Sequence, residues 1–147
     1  NKVKIYFVLF VLILTLISFS FLKYKNEKNN ILVGEKYVKA GLYLSSNQTD
    51  KSKELYEEII YSKNNFYSIL SLNVLLEKKL IKDKKKILEF FEIVEKSISL
   101  KNQKDLIALK KALYIIKEVD IQIGNDLLKE LINKDSPLKP IAQEILK

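Results

Sequence analysis

The sequence predicts an all-α protein with one N-terminal transmembrane helix followed by a domain of about six or seven shorter helices. Apolar residues in the domain recur at intervals of three and four, the spacing that places side chains on one helical face. The chain has only three glycines and two prolines, which are few for a protein of strands and turns. Residues 5–22 are uncharged over eighteen consecutive positions, which predicts a membrane-spanning helix.

The uncharged stretch, IYFVLFVLILTLISFSFL, has lysines at both borders. A helix of this length spans about 27 Å, close to the ~30 Å hydrocarbon core of a bilayer. In lipid, a helix satisfies every backbone amide within its own segment. We therefore assign residues 1–24 to an N-terminal flank and a transmembrane helix that contacts lipid through residues 5–22. Its marker side chains are Ile5, Phe10, Leu14, Phe19 and Leu22.

Two other interpretations of this stretch fit its residues less well. A cleaved signal peptide ends in small residues, whereas bulky Phe21 and Leu22 stand at this border. A core helix that is apolar on all sides is uncommon in a chain of 147 residues. Both observations favour an uncleaved anchor. Asn1 is not an initiator methionine, so the sequence leaves open whether further residues precede it in the natural chain.

The rest of the chain divides at polar turns. Residues 25–30 are either a juxtamembrane linker or an extension of the first helix, and residues 31–147 form one helical domain that leaves open a continuation past Lys147. Asp83 is a predicted N-cap, Gly124 with Asn125 a predicted turn, and Ser136 with Pro137 a predicted helix start. The expected helices are 31–45, a second ending near 62, 66–79, 83–98, 104–119, a short sixth around 127–132, and a last one after the proline at 137.

Composition excludes several functions. The net charge is +8, but residues 1–30 alone contribute five lysines and one glutamate, so half of the excess borders the predicted anchor. The chain has no arginine, the preferred residue for bidentate phosphate contacts, which argues against nucleic-acid binding. It also has no cysteine and no histidine, which removes thiolate nucleophiles, imidazole bases and the usual zinc ligands. We therefore predict no enzymatic activity, no cofactor and no metal.

Two charged clusters have a simpler interpretation than chemistry. Glu54, Glu57 and Glu58 lie among lysines at helical spacing and are expected to form a solvated face. The lysine run at residues 82 and 84–86 is expected to be a solvated helix start, with lipid headgroups or an acidic partner as the alternative.

The stretch GEKYVKAGLYLSSNQTDKSKELYEEIIYSKNN, residues 34–65, resembles one degenerate tetratricopeptide repeat. The residues that carry the resemblance occupy signature positions of its two helices: Tyr37, Ala40, Gly41 and Leu44 in the first, and Ser52, Tyr56 and Ile59 in the second. Gly41 is expected to allow close approach of the paired helix. The resemblance implies a tetratricopeptide-like array of helical hairpins.

A short tail, one membrane helix and such an array together resemble the ancillary SecYEG translocon subunit family of bacteria. The segment DSPLKPIAQEIL, residues 135–146, is similar to a segment that recurs in that family. The resemblance implies an inner-membrane protein with a periplasmic domain, whose partners are translocon subunits and periplasmic chaperones. The charges alone favour a cytoplasmic domain, because the three lysines after the helix, Lys23, Lys25 and Lys28, outnumber Lys2 and Lys4 before it, and the more basic flank tends to be cytoplasmic. We follow the resemblance and expect the helical domain on the periplasmic side of the inner membrane.

Tyrosines supply the candidate binding residues. Tyrosine offers apolar area and one hydrogen-bonding end, which suits the binding of an extended polypeptide. Core packing explains Tyr37 and Tyr56 better, whereas Tyr43 and Tyr67 are candidates for lining a protein-binding groove. We therefore expect a membrane-anchored protein-interaction scaffold. The alternative is a structural accessory subunit of another large inner-membrane complex.

Overall fold

The structure is a computed structural model that describes the backbone of residues 2–147, and their side chains except those of residues 2, 3, 5, 8, 9, 25 and 26. Residues 2–147 contain seven α-helices and no strand, so the prediction of an all-α protein is confirmed. The helices are α1 (Lys2–Ser45), α2 (Thr49–Tyr61), α3 (Tyr67–Glu77), α4 (Lys84–Ser97), α5 (Lys101–Glu118), α6 (Ile121–Asn133) and α7 (Lys139–Ile145).

Helix α1 is a single helix of 44 residues, about 66 Å long at 1.5 Å per residue. The sequence left a linker or a helix extension open for residues 25–30, and in the structure these residues are helical. Residues 23–30 contain neither proline nor glycine, so no residue type there interrupts the hydrogen-bonding pattern. The predicted first two helices are therefore one.

Among the residues that the structure describes, no helix is both long enough and apolar enough to cross a membrane. The predicted anchor includes Ile5, Val8 and Leu9, whose side chains lie outside the described residues. The other four marker side chains of the anchor are exposed: Phe10, Leu14, Phe19 and Leu22. The anchor therefore stays a prediction.

Each helix packs against the next one along the chain, from α1 with α2 to α6 with α7. Contacts also join α1 to α3 and α2 to α4. Packing against the next helix and the next but one is consistent with an array of stacked helical hairpins. The buried side chains form two clusters. The larger cluster contains residues of the first five helices, α1 through α5, and is centred on Ile59, Leu72, Phe90, Phe91 and Val94. The smaller cluster contains residues of α5, α6 and α7: Leu109, Ala112, Leu128, Leu131 and Ala142.

The prediction that Gly124 and Asn125 form a turn is wrong. Helix α6 already begins at Ile121, after the N-cap Asp120, whose side chain accepts a hydrogen bond from the Ile123 amide at 2.9 Å. Gly124 is buried inside α6, and a Cβ there would lie 2.4 Å from Ile116 Cγ1 of α5. The glycine is thus a packing residue that lets α6 lie close to α5.

Two further expectations differ in detail. A Cβ on Gly41 would lie 3.7 Å from Tyr56 Oη, an ordinary contact distance, so this glycine makes no unusually close approach. Helix α7 begins at Lys139 rather than beside Pro137. Ser136 caps the preceding turn instead, because its Oγ accepts a hydrogen bond from the Leu138 amide at 3.1 Å. The predicted N-cap Asp83 is confirmed, since its side chain accepts from the amides of the first turn of α4.

Candidate protein-binding site

Tyr67, one of the two candidate groove residues, belongs to an aromatic cluster between α1 and α3. Its ring centroid lies 5.6 Å from that of Tyr37 and 5.1 Å from that of Phe66. A Cβ on Gly34 would lie 2.7 Å from the Tyr67 hydroxyl, so the glycine leaves room for the phenol. Tyr67 is half-buried and packs against the larger core cluster, while Phe66 beside it is exposed.

Tyr43, the other candidate, lies in a different environment. Its ring has two lysine ammonium groups over it, with Nζ of Lys39 at 5.8 Å and Nζ of Lys51 at 5.4 Å from the centroid. Cation–π contacts at partly exposed sites are worth about 0.5–1 kcal/mol each. The half-buried ring therefore offers a cationic surface near the end of α1, whereas Tyr67 offers an aromatic one. The role of both residues in a groove stays a prediction.

The remaining tyrosines of the cluster are structural. Tyr37 and Tyr56 pack edge to face with their centroids 5.5 Å apart, and Tyr56 is 2% exposed. Burial raises the pKa of Tyr56, and the nearby Tyr37 raises it further. Burial and the charge of Glu77 likewise raise the pKa of Tyr37. Both phenols are therefore neutral at physiological pH, as hydrophobic packing requires.

Asn64 connects α1 to the start of α3. Its side-chain Nδ2 donates to Asn30 Oδ1 at 2.6 Å. Its Oδ1 accepts from the backbone amides of Phe66 at 3.1 Å and of Tyr67 at 2.9 Å. The buried asparagine thus caps the helix that carries Tyr67 and fixes it to α1 just beyond the predicted anchor.

The acidic cluster of α2 is paired across helices as well as solvated. Glu57 accepts from Lys86 of α4 and Glu58 from Lys36 of α1, each at 2.7 Å. The hydrogen bond that Lys86 donates to the Glu57 carboxylate is the main cause of the raised pKa of Lys86. The Glu57–Lys86 pair is the better shielded of the two, which makes it a clamp between α2 and α4 rather than a free docking site.

A cavity of about 740 Å³ opens between α5, α6 and the end of α4. Its wall includes Asp105, which is buried and whose Oδ2 has no hydrogen-bond partner among the described residues. Four lysines and the carboxylates of Glu95 and Glu130 also line the cavity. Within the described part of the chain, no group of three or more acidic side chains has the arrangement of a metal site.

The outward face of α1 is the other surface of note. Val33, Gly34 and Ala40 are buried on the inward face. Ile31, Val38 and Leu42 lie on the opposite face and are exposed. The residue pattern that predicts a helix at 31–45 does not predict this second apolar face.

Neither a family model, nor a curated protein, nor a solved structure matches this chain. The likeness to the translocon subunit family therefore stays an interpretation of the residues that carry it, and function is inferred from the geometry.

Proposed function

We propose that this protein is a non-enzymatic, membrane-anchored scaffold that binds other proteins. The observation that supports the proposal is the continuity of α1, which joins the uncharged stretch 5–22 to the helical domain without a break. No linker uncouples the two parts. An anchor of this kind holds the binding domain at the membrane and raises its effective concentration near membrane partners.

The length of α1 sets the geometry of this arrangement. With residues 5–22 in the ~30 Å hydrocarbon core, residues 23–45 extend about 35 Å beyond it. The inward face of that extension packs against α2 and α3. The anchor and the first hairpins therefore move as one body, so any tilt or rotation of the membrane helix reorients the binding surfaces.

The translocon version of the proposal follows the resemblance. It assigns residues 34–65 to a tetratricopeptide-like repeat, the anchor to the bacterial inner membrane and the domain to the periplasm. It names translocon subunits and periplasmic chaperones as partners, with no nucleic acid, metal or cofactor. In this version Tyr43 and Tyr67 contribute to the binding of extended polypeptides, because aromatic rings give large contact area at low entropic cost.

The unbroken α1 equally suits a structural accessory subunit of another large inner-membrane complex. Such a subunit would migrate with one complex at fixed stoichiometry on a native gel, whereas a scaffold for transient partners would not. This observation separates the two functions without altering the protein.

The anchor is tested by extraction of isolated membranes with alkaline carbonate, which releases peripheral proteins. We expect the full chain to stay with the membrane. Replacing Leu14→Lys and Ile17→Lys together should release it, because each central lysine costs about 2.5–3.5 kcal/mol on insertion. Ile121→Lys, at an exposed apolar position of α6, is the matched control and should leave the protein in the membrane. Release of the unaltered chain would contradict the proposal.

A further inference from the structure

A stripe of large apolar side chains runs along the outward face of α1, above the predicted anchor. Ile31, Val38 and Leu42 are 58%, 61% and 62% exposed. They are spaced by seven and four residues, so they lie in one line along the helix. Tyr24, 66% exposed and seven residues before Ile31, extends the line toward the anchor. We call the line through residues 24, 28, 31, 35, 38 and 42 the α1 seam.

The seam stands out because of its position at the end of the array. The terminal helices of stacked repeats usually have a polar outer face, since no further repeat covers them. Here α2 and α3 leave four aliphatic side chains exposed on the part of α1 that belongs to the array: Ile31, Val38 and Leu42 in the seam, and Leu32 beside it. Several exposed apolar side chains on one face mark an interaction site more often than single exposed residues do.

The spacing of the seam indicates what kind of surface fits it. The seam positions follow one another at alternating intervals of four and three residues, as the a and d positions of a heptad repeat do, and the partner of such a surface is another α-helix. Apolar residues occupy positions 24, 31, 38 and 42, and charged residues occupy positions 28 and 35. From Tyr24 to Leu42 the seam is about 27 Å long. A helix lying beside it would contact five turns of α1.

The charges in the seam decide which helix fits. Lys28 and Glu35 occupy seam positions one heptad apart and are both exposed. Two copies anchored in the same membrane would pair in parallel, and each charge would then face its own like charge, which is destabilising. A complementary helix instead carries a carboxylate level with Lys28, a basic residue level with Glu35 and aliphatic residues between and above them.

We propose that the α1 seam is the docking site for a helix that leaves the membrane beside α1 and belongs to a different, membrane-embedded protein. The inference rests on the proposed function, because it places residues 5–22 in lipid. It adds to that function the face that binds, the partner's secondary structure and its charge pattern. The partner's helix lies alongside α1, so docking fixes the height and rotation of the whole array relative to the partner.

The test uses a photo-crosslinking amino acid in the full-length protein in native membranes. It replaces Val38 in one variant and Ile31 in a second, and exposed Ile121 of α6 in the control. We expect one adduct, with the same integral membrane protein, from both seam positions and not from residue 121. Glu35→Lys should lower the adduct yield about tenfold, because it places a like charge opposite the partner's basic residue. Glu54→Lys, at an exposed position of α2, should leave the yield unchanged.

The outcomes separate the docking inference from the proposed function. Irradiated membranes are also extracted with carbonate, which reports on the anchor alone. A carbonate-resistant protein without a seam-specific adduct would overturn the docking site and leave the anchor standing. An adduct with a second copy of this chain, or with lipid alone, would also overturn it. Loss of the protein from the membrane would overturn the proposed function itself.

Discussion

At the scale of single residues, Gly41 and Gly124, two of the three helical glycines, show how environment decides the role of one residue type. Both lie inside helices, where glycine costs roughly 0.5–1 kcal/mol relative to alanine. A Cβ on Gly41 would make an ordinary contact, whereas one on Gly124 would lie 2.8 Å from two backbone atoms of α5. Backbone atoms cannot rotate away as a side chain can, so the two positions should respond oppositely to alanine.

We therefore predict that Gly124→Ala lowers the free energy of unfolding by about 1–2 kcal/mol, as overpacking outweighs the gain in helix propensity. Gly41→Ala is the matched control and should raise it by roughly 0.5–1 kcal/mol. Chemical denaturation in detergent micelles, followed by circular dichroism, measures both. Equal effects of the two substitutions would contradict the packing of α6 on α5.

Asn64 combines a helix cap with a side-chain hydrogen bond to α1. Asn64→Ala should lower the free energy of unfolding by about 1–2 kcal/mol, because it uncaps α3 and leaves Asn30 without its partner. Asn65→Ala, at the exposed neighbour, serves as control and should change stability by less than about 0.5 kcal/mol. The same denaturation experiment compares them, and an equally harmful Asn65→Ala would contradict the assigned role.

Tyr56 should make stability depend on alkaline pH. Its pKa is raised in the folded protein, so the folded state holds the phenolic proton more tightly than the unfolded state. This contribution is fully present below the unfolded pKa of about 10 and is lost as the pH rises through the folded value. Tyr56→Phe should therefore flatten the decline in stability above pH ~10. Denaturation midpoints across the alkaline range test this, and an unchanged slope would contradict the burial of the phenol.

At the scale of elements, the continuity of α1 is the feature on which most else depends. The chain has no native cysteine, so spin labels can be placed on Tyr24→Cys and Leu42→Cys alone. Eighteen residues of unbroken helix separate them by about 27 Å between Cα atoms, on the same side of α1. We predict a single narrow distance distribution near that value, once label length is included. A broad distribution would indicate a flexible segment at residues 25–30.

The helices of the domain could be predicted from the sequence because each has a core-facing repeat and polar boundaries. Asp83 is the N-cap of α4 as predicted, and Phe91 and Val94 are buried at helical spacing behind it. The prediction of a turn at Gly124 is wrong because the sequence alone cannot distinguish a glycine in a turn from a glycine that packs against a neighbouring helix. The bond from Asn64 to Asn30 joins residues 34 positions apart, which no local pattern encodes.

At the scale of the whole molecule, the all-helical fold is the part that sequence and structure share. The candidate site was less predictable, because the surroundings of Tyr43 and Tyr67 depend on side chains of other helices. Lys51 of α2 lies over the Tyr43 ring, and Tyr37 of α1 packs against Tyr67. The α1 seam was missed for a related reason. Only the packing of α1 against α2 and α3 identifies which of its two apolar faces stays exposed.

The proposed function requires that a membrane-anchored helical array binds other proteins at the membrane. Its most direct test is mild crosslinking of native membranes, followed by affinity purification of the full-length protein and mass spectrometry. We expect recovery of integral membrane proteins, with translocon subunits and periplasmic chaperones among them if the translocon version holds. Recovery of the protein from the soluble fraction, with no membrane protein crosslinked to it, would contradict the claim.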